Sequence, residues 1–300
     1  MLRSRRTASG GSLLIFAMMI NLQIGGNHFC IESDAEIRIE QNMIPYLCSD
    51  SQEDHVCIRV VIGMQDAPVP SSPKRGEDLL LEYYMEKNRI LCLTKGSIGC
   101  YLAAAVCSLD YSNIVCYLDE KDAPFLCSVG LLLRLIPTRA ILQSRGVVFL
   151  HASQIAVGGK GILFLGPSGM GKSTQAKLWR TFRSAQIVCN DRTLIRNGQT
   201  YSFPMDGSEP VLSGDTFPLG ALVMLEQSPD NRIRELTSRE ALVRLMPQVV
   251  FDHWNHDAVV AATQQILDLI QQCRVYLLSC TPNQYAVSCL EQQLIKDGIL

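Results

Sequence analysis

Two hydrophobic patterns divide this chain. Between residues 20 and 120 the apolar positions fall in short runs separated by polar or proline-bearing turns, and 27–31, 56–62, 89–93 and 113–118 all read as strands. Residues 19–24 add an earlier one. Residues 67–76 read as a loop, because Pro68, Pro70 and Pro73 would deny a ladder its donors. Beyond the polar turn at 119–124 the pattern lengthens. A long apolar helix is predicted from about Phe125 to Ser144, kinked at Pro137 and ended by Gly146. Strand candidates follow at 147–151, 154–157, 161–165, 186–189 and 219–225, with Asn197-Gly198 marking a tight hairpin turn. Thr237 and Glu240 have the spacing of a capping box, opening a helix that stops before Pro247. Val259, Ala262, Ile266, Leu269 and Cys273 then recur at helical spacing. A strand over 274–280 leads to Thr281-Pro282, which opens a last helix running to Gly298. These runs predict an α/β protein: a β-rich accessory or substrate-docking domain over 1–122, then an α/β domain with a mixed sheet over 123–300.

One segment carries chemistry outright. Gly166-Pro167-Ser168-Gly169-Met170-Gly171-Lys172-Ser173 has the complete pattern of a phosphate-binding loop, set between an apolar strand and a helix start. Its glycines allow a tight turn in which backbone N–H groups point inward. The first helical turn, with Thr174, adds unpaired N–H groups and the positive end of the helix dipole. Lys172 supplies a point charge for the β- and γ-phosphates, and the Ser173 hydroxyl a ligand for Mg²⁺. Ala176, Trp179 and Phe182 are expected on the buried face of that helix. The pattern predicts a P-loop domain that binds a nucleoside triphosphate, with ATP and Mg²⁺ as its cofactors.

Composition narrows the setting. Apolar residues make up 47% and charged residues 19% of the 300, a globular balance. A net charge of −2 and no basic, aromatic-rich stripe give no footprint for nucleic acid. None of the twelve cysteines lies within seven residues of the next, save pairs at that spacing, so no C-x-x-C motif exists for zinc or dithiol chemistry. They read as free, mostly buried thiols, as a compartment holding ATP is reducing; the expected location is cytoplasmic. Arg3, Arg5 and Arg6 before the apolar run at 13–20 imitate a signal peptide. That run is too short for a bilayer and no small-x-small site follows, so a disordered basic extension leading into the first strand is the expectation, with no membrane partner.

Asp191, ending the strand after the loop's helix, is the expected proton acceptor, since strand C-termini face the ligand crevice of open α/β sheets; a turn cap is its other reading. His151 reads either as a strand-end histidine or as a catalytic one. Val211-Leu212-Ser213-Gly214-Asp215 imitates a transporter ATPase signature but follows the loop too soon. His253 and His256 lack a third ligand nearby for zinc.

His151-Ala152-Ser153, fifteen residues before Gly166, then the loop, then Val188-Cys189-Asn190-Asp191, resembles the kinase domain of the HPr serine kinase/phosphorylase family. The nearer likeness is to its short members beside peptide-modifying clusters, including lasso-peptide precursor kinases. The resemblance spans roughly residues 125–300. It implies an HPr kinase/phosphoenolpyruvate carboxykinase-like fold, with His151 and Lys172 in the active site and Asp191 taking the proton of a serine hydroxyl. It also implies that Arg232 faces the phosphate, with Arg234 as competitor, and that Glu209, or Asp206, is a second metal ligand beside Ser173. The chain lacks the glycine-rich stretch and C-terminal signature of HPr kinases themselves, so neither HPr as acceptor nor the reverse phosphorolysis is implied. The expected activity is transfer of the γ-phosphate to a hydroxyl of a peptide, small protein or small molecule, with a homo-oligomer left open. A nucleotide-gated recruitment protein and carboxykinase-like chemistry on a small acid are the rival readings.

Overall fold

The structure is a computed structural model that describes residues 3–6, 13–49, 55–97, 99–205 and 214–300. The chain is mixed α/β and divides into two compact units: Met1–Arg145 with Asp252–His256, and Gly146–Phe251 with Asp257–Leu300.

The first unit is built on one mixed sheet. Its strands are β1 (Arg3–Arg6), β2 (Leu13–Ile24), β3 (Asn27–Ile39), β4 (His55–Ile62), β5 (Lys74–Glu77), β6 (Leu81–Met85), β7 (Ile90–Lys95), β8 (Tyr101–Cys107) and β9 (Asn113–Leu118). They lie in the order β1-β2-β3-β4-β9-β8-β7-β6-β5, with β4 parallel to both β3 and β9. The expected basic extension is instead a strand: Arg3–Arg6 pairs antiparallel with the start of β2. The apolar run after it supplies a long strand with a ladder to offer. The long helix expected from Phe125 is three short ones, α1 (Ala123–Leu126), α2 (Val129–Leu135) and α3 (Thr138–Ser144). Proline explains the second break. Ile136, ahead of Pro137, is extended at φ −109° and ψ 161°, as a residue before proline prefers. Helix α2 packs on β3 and β8, and the boundary between units accordingly falls after Arg145 rather than at residue 122. All twelve cysteines are free thiols.

The second unit carries the loop. Its strands are β10 (Val148–Val157), β11 (Lys160–Leu165), β12 (Gln186–Cys189), β13 (Arg192–Arg196), β14 (Gln199–Ser202), β15 (Thr216–Gln227), β16 (Arg232–Glu235) and β17 (Arg274–Cys280). Strands β11, β15 and β17 run parallel, while β10 and β16 flank them antiparallel. The β13–β14 hairpin turns through Asn197 (φ 51°) and Gly198 (φ 70°), the left-handed pair that such a turn demands, and bridges the starts of β10 and β15. The two strands expected at 147–151 and 154–157 are one, since β10 runs unbroken between different partners.

The helices are α4 (Lys172–Arg183), α5 (Ser238–Leu245), α6 (His256–Gln272) and α7 (Gln284–Lys296). Successive residues of the parallel strands alternate between two cores. Leu163, Leu165, Leu222, Met224, Val275 and Leu277 meet α5 and α6 through Leu245, Ala262, Ile266 and Leu269. Ile162, Phe164, Val223, Leu225, Tyr276 and Leu278 meet α4 and α7 through Ala176, Trp179, Val287 and Leu290. Burial on both faces is why these strands read as continuous apolar runs. Helix α7 opens two residues later than expected: Asn283, not Thr281, caps it, its side chain accepting from the Ala286 N–H at 3.1 Å. Among the described residues, no helix is long and apolar enough to cross a membrane.

Candidate functional site

The Gly166–Lys172 connection leaves β11 at its C-terminal end and delivers the chain into α4. Gly166, Gly169 and Gly171 have φ of 147°, 79° and 99°, values that other residues rarely adopt. The Met170 N–H donates to the Pro167 carbonyl at 3.2 Å and closes the turn. Helix α4 has no side-chain cap, and its ladder opens with the Gln175 N–H donating to the Gly171 carbonyl at 2.8 Å. The N–H groups of Lys172, Ser173 and Thr174 therefore precede the ladder, at the positive end of the helix. This is a focus for an anion. Ser173 and Thr174 are exposed there, as are Pro167, Ser168 and Gly169.

Lys172 is buried, and its Nζ donates to the carbonyls of Gly166 at 2.8 Å and Pro167 at 3.3 Å. Burial pushes its ammonium below the ordinary lysine value, while the negative charge of Asp191 works the other way. Asp191 thus lies within electrostatic reach of Lys172, although the two are nineteen positions apart in sequence.

Backbone contacts fix Asp191 in place. Its carbonyl accepts from the Ala152 N–H at 3.1 Å, and the neighbouring Asn190 carbonyl accepts from Ser153 Oγ at 2.8 Å. Its carboxylate Oδ1 is 2.9 Å from His151 Nδ1. Arg192 Nε approaches Oδ2 at 3.6 Å. His151 and Arg192 face each other directly in the β10–β13 ladder, so sheet register sets both contacts. The expected pair His151 and Asp191 is brought together beside Lys172. Nothing in the hydrophobic pattern singles out Arg192; its position next to Asp191 on a strand is the one available signal.

Arg232 stands apart from that cluster. It is exposed on β16 and pairs with Asp230 of its own turn at 2.6 Å. Arg234, its competitor, is held by both carboxylate oxygens of Glu240, at 3.0 and 2.7 Å. Glu209 and Asp206, the proposed metal ligands, lie outside the described residues, as does most of the 211–215 segment. Among the described residues, no group of three or more His, Cys, Asp and Glu side chains could hold a metal ion, His253 and His256 included.

A cavity of about 540 Å³ opens beside the loop. It is lined by Gly169, Met170, Thr174 and Gln175 together with the turns that follow β15 and β17. The C-terminal ends of all three parallel strands therefore meet around it, where open α/β sheets bind ligands. Gln175 was unexpected. The buried stripe of α4 is Lys172, Gln175, Ala176 and Trp179, whereas Phe182, expected on that face, is exposed in the last turn. No protein-family model matches the chain, and no curated protein matches it.

Proposed function

We propose that the second unit is a P-loop kinase, transferring the γ-phosphate of ATP to a serine or similar hydroxyl of a peptide, small protein or metabolite. The observation that carries this reading is the joining of two devices: an uncapped helix start behind a glycine loop, and a His151–Asp191 pair within reach of the loop's lysine. Either alone is a structural commonplace. Together they match the two needs of phosphoryl transfer, a grip on the phosphates and a group that takes the acceptor's proton. The His151, loop and Asp191 spacing, which resembles that of the HPr serine kinase/phosphorylase family, supports a serine acceptor.

In this reading the loop N–H groups and Lys172 hold the triphosphate, Lys172 exchanging its carbonyl partners for phosphate oxygens. The exposed Ser173 hydroxyl fits Mg²⁺, which when bound supplies charge neutralisation between the phosphates. The acceptor oxygen bonds to the γ-phosphorus, the bond to the β-phosphate bridging oxygen breaks, and ADP leaves. The hydroxyl proton passes to Asp191, which His151 orients through Oδ1. Arg192 approaches Asp191 at 3.6 Å whereas Arg232 pairs with Asp230 of its own turn, so Arg192 is the better placed cation.

The experiment is incubation with γ-labelled ATP, Mg²⁺ and serine-containing peptides or metabolites, with ATP binding followed in parallel by thermal shift. Wild type should form labelled product, and Lys172→Ala should lose both product and ligand-induced stabilisation, which scales with ligand over Kd. Normal ATP binding without product from any acceptor would favour the recruitment reading. A Lys172→Ala variant stabilised like wild type would overturn the phosphate grip itself.

A further inference from the structure

We infer that Cys30, Cys57 and His55 form a peroxide-reactive thiol site on the first unit's sheet, in which Cys57 attacks a hydroperoxide and Cys30 then closes a disulfide with it. The site belongs to the first unit and is independent of the kinase reading of the second.

Register brings the thiols together. Strands β3 and β4 run parallel, with Cys30 opposite Cys57, His28 opposite His55 and Glu32 opposite Arg59. Alternate residues of a strand share a face, so all six stand on one side of the sheet. The other side is core, where Phe29, Ile31, Val56 and Ile58 are buried. On the thiol side Glu32 and Arg59 are exposed, His28, His55 and Cys57 are half-buried, and Cys30 is the deepest at 9% exposed. A small reagent can therefore reach Cys57, whereas Cys92, Cys107 and Cys116 are sealed in the core. Adjacent strands about 4.8 Å apart put the two Cα atoms inside the roughly 4.4–6.8 Å range that a disulfide spans.

His55 supplies the base. Its Nε2 is 3.1 Å from Cys57 Sγ, and in the tautomer protonated at Nδ1 it accepts the thiol proton. The thiolate is the nucleophile. It attacks one peroxide oxygen: the S–O bond forms, the O–O bond breaks, and the departing oxygen takes the proton from His55 and leaves as water or an alcohol. Cys57 is then a sulfenic acid. Cys30 Sγ attacks the Cys57 sulfur, the S–S bond forms, and the hydroxyl leaves with the Cys30 proton as water. Two electrons pass from the sulfurs to the peroxide. Burial first, then Glu32 and Cys57, push the Cys30 thiol up, which suits the partner that keeps its proton until the second step. A disulfide of this kind in a reducing compartment is transient and chemical rather than structural. Cys48, whose Sγ is 3.8 Å from His28 Nδ1, is the competing partner.

The test is to reduce the whole chain, give it a limiting amount of hydrogen peroxide, alkylate it, and read intact mass and a peptide map. Wild type should lose two hydrogens in a Cys30–Cys57 cystine that dithiothreitol reverses, while Cys92, Cys107 and Cys116 are recovered as thiols. Cys30→Ser should form no cystine and should instead carry at Cys57 a sulfenic acid that dimedone traps. His55→Asn should slow the oxidation about 10²-fold at neutral pH, the lower end of what a general base supplies. Cys57 left as a thiol in wild type, or a cystine joining it to Cys48 or any other cysteine in place of Cys30, would overturn the site. Oxidation of His55→Asn at the wild-type rate would overturn the role of His55. The wild-type map needs no variant, so it decides the pairing even if a substituted chain does not fold.

Discussion

A carboxylate can serve as a base only where its neighbours hold it without neutralising it. Asp191 has His151 at 2.9 Å to orient it and Arg192 at a looser 3.6 Å. Asp191→Asn is nearly isosteric and keeps the backbone contact to Ala152, but an amide cannot accept the acceptor's proton. Transfer should fall by about 10²–10⁴-fold, the usual worth of a general base, with ATP still bound; transfer at the wild-type rate would pass the role to His151. The same change bears on Lys172. Burial lowers its ammonium's value and Asp191 raises it, so the lysine sheds its proton at a lower pH than an ordinary lysine. ATP affinity should therefore decline as alkaline pH rises through that lowered value. In Asp191→Asn the decline should come at lower pH still, which titration of ATP binding against pH would measure; an unmoved profile would separate the two groups. Lys172, Asp191 and His151 were legible in the sequence because motif spacing and strand ends mark them. Arg192 and Gln175 were not, since one matters through its partner across a ladder and the other through burial on a helix face.

At the scale of elements, local chemistry was legible wherever it is self-contained. The Asn197-Gly198 turn and the capping box of α5 both form as their residues dictate. In the box, Thr237 Oγ1 accepts from the Glu240 N–H at 3.3 Å and the Glu240 carboxylate accepts from the Thr237 N–H at 3.0 Å. Long-range effects explain the misses. Pro137 and packing on the first sheet break the apolar run that reads as one helix, and β10 runs through because β13 pairs with its first part and β11 and β12 with the rest. Thr237→Ala should cost about 1 kcal/mol of stability, measured as a lowered urea midpoint. The pH dependence has a definite sign. Arg234, then Thr237, holds the Glu240 carboxyl down at about 2, against 4.5 unperturbed. Because the folded value lies below the unfolded one, the stabilisation from its charge is complete above the unfolded value and is lost as pH falls toward about 2. Glu240→Gln should accordingly be less stable than wild type at neutral pH and should converge with it in acid. A deficit that stays constant across that window would mean the charge contributes nothing.

At the scale of the molecule, sequence order and spatial membership part company. Asp252–His256 lies late in the chain yet belongs to the first unit. Trp254 packs on Tyr83 with ring centroids 4.8 Å apart, and on the bare backbone of Gly76, where any Cβ would collide with its ring. Asp252, 3% exposed, pairs with Arg139, which also reaches Asp78 Oδ2 at 3.1 Å. No periodicity could have disclosed this, because the partners are separated by more than a hundred residues and each looks unremarkable in its own segment. Burial dominates the electrostatics of Asp252: its carboxyl titrates above the ordinary aspartate value, with Arg139 pulling the other way. Removing Arg139 leaves that carboxylate buried without its cation, so Arg139→Leu should destabilise the protein by about 3–5 kcal/mol, most of it the cost of the stranded charge. Adding Asp252→Asn removes the charge, and the double variant should be more stable than Arg139→Leu alone. The sign with pH follows. An acid whose folded value is raised binds more protons folded than unfolded, so the single variant's deficit should grow as pH rises above the ordinary aspartate range and shrink as it falls. Urea unfolding of the two variants across pH measures both effects. Additive losses from the two substitutions would show that Arg139 and Asp252 do not act as a pair, and that Trp254 alone anchors the segment.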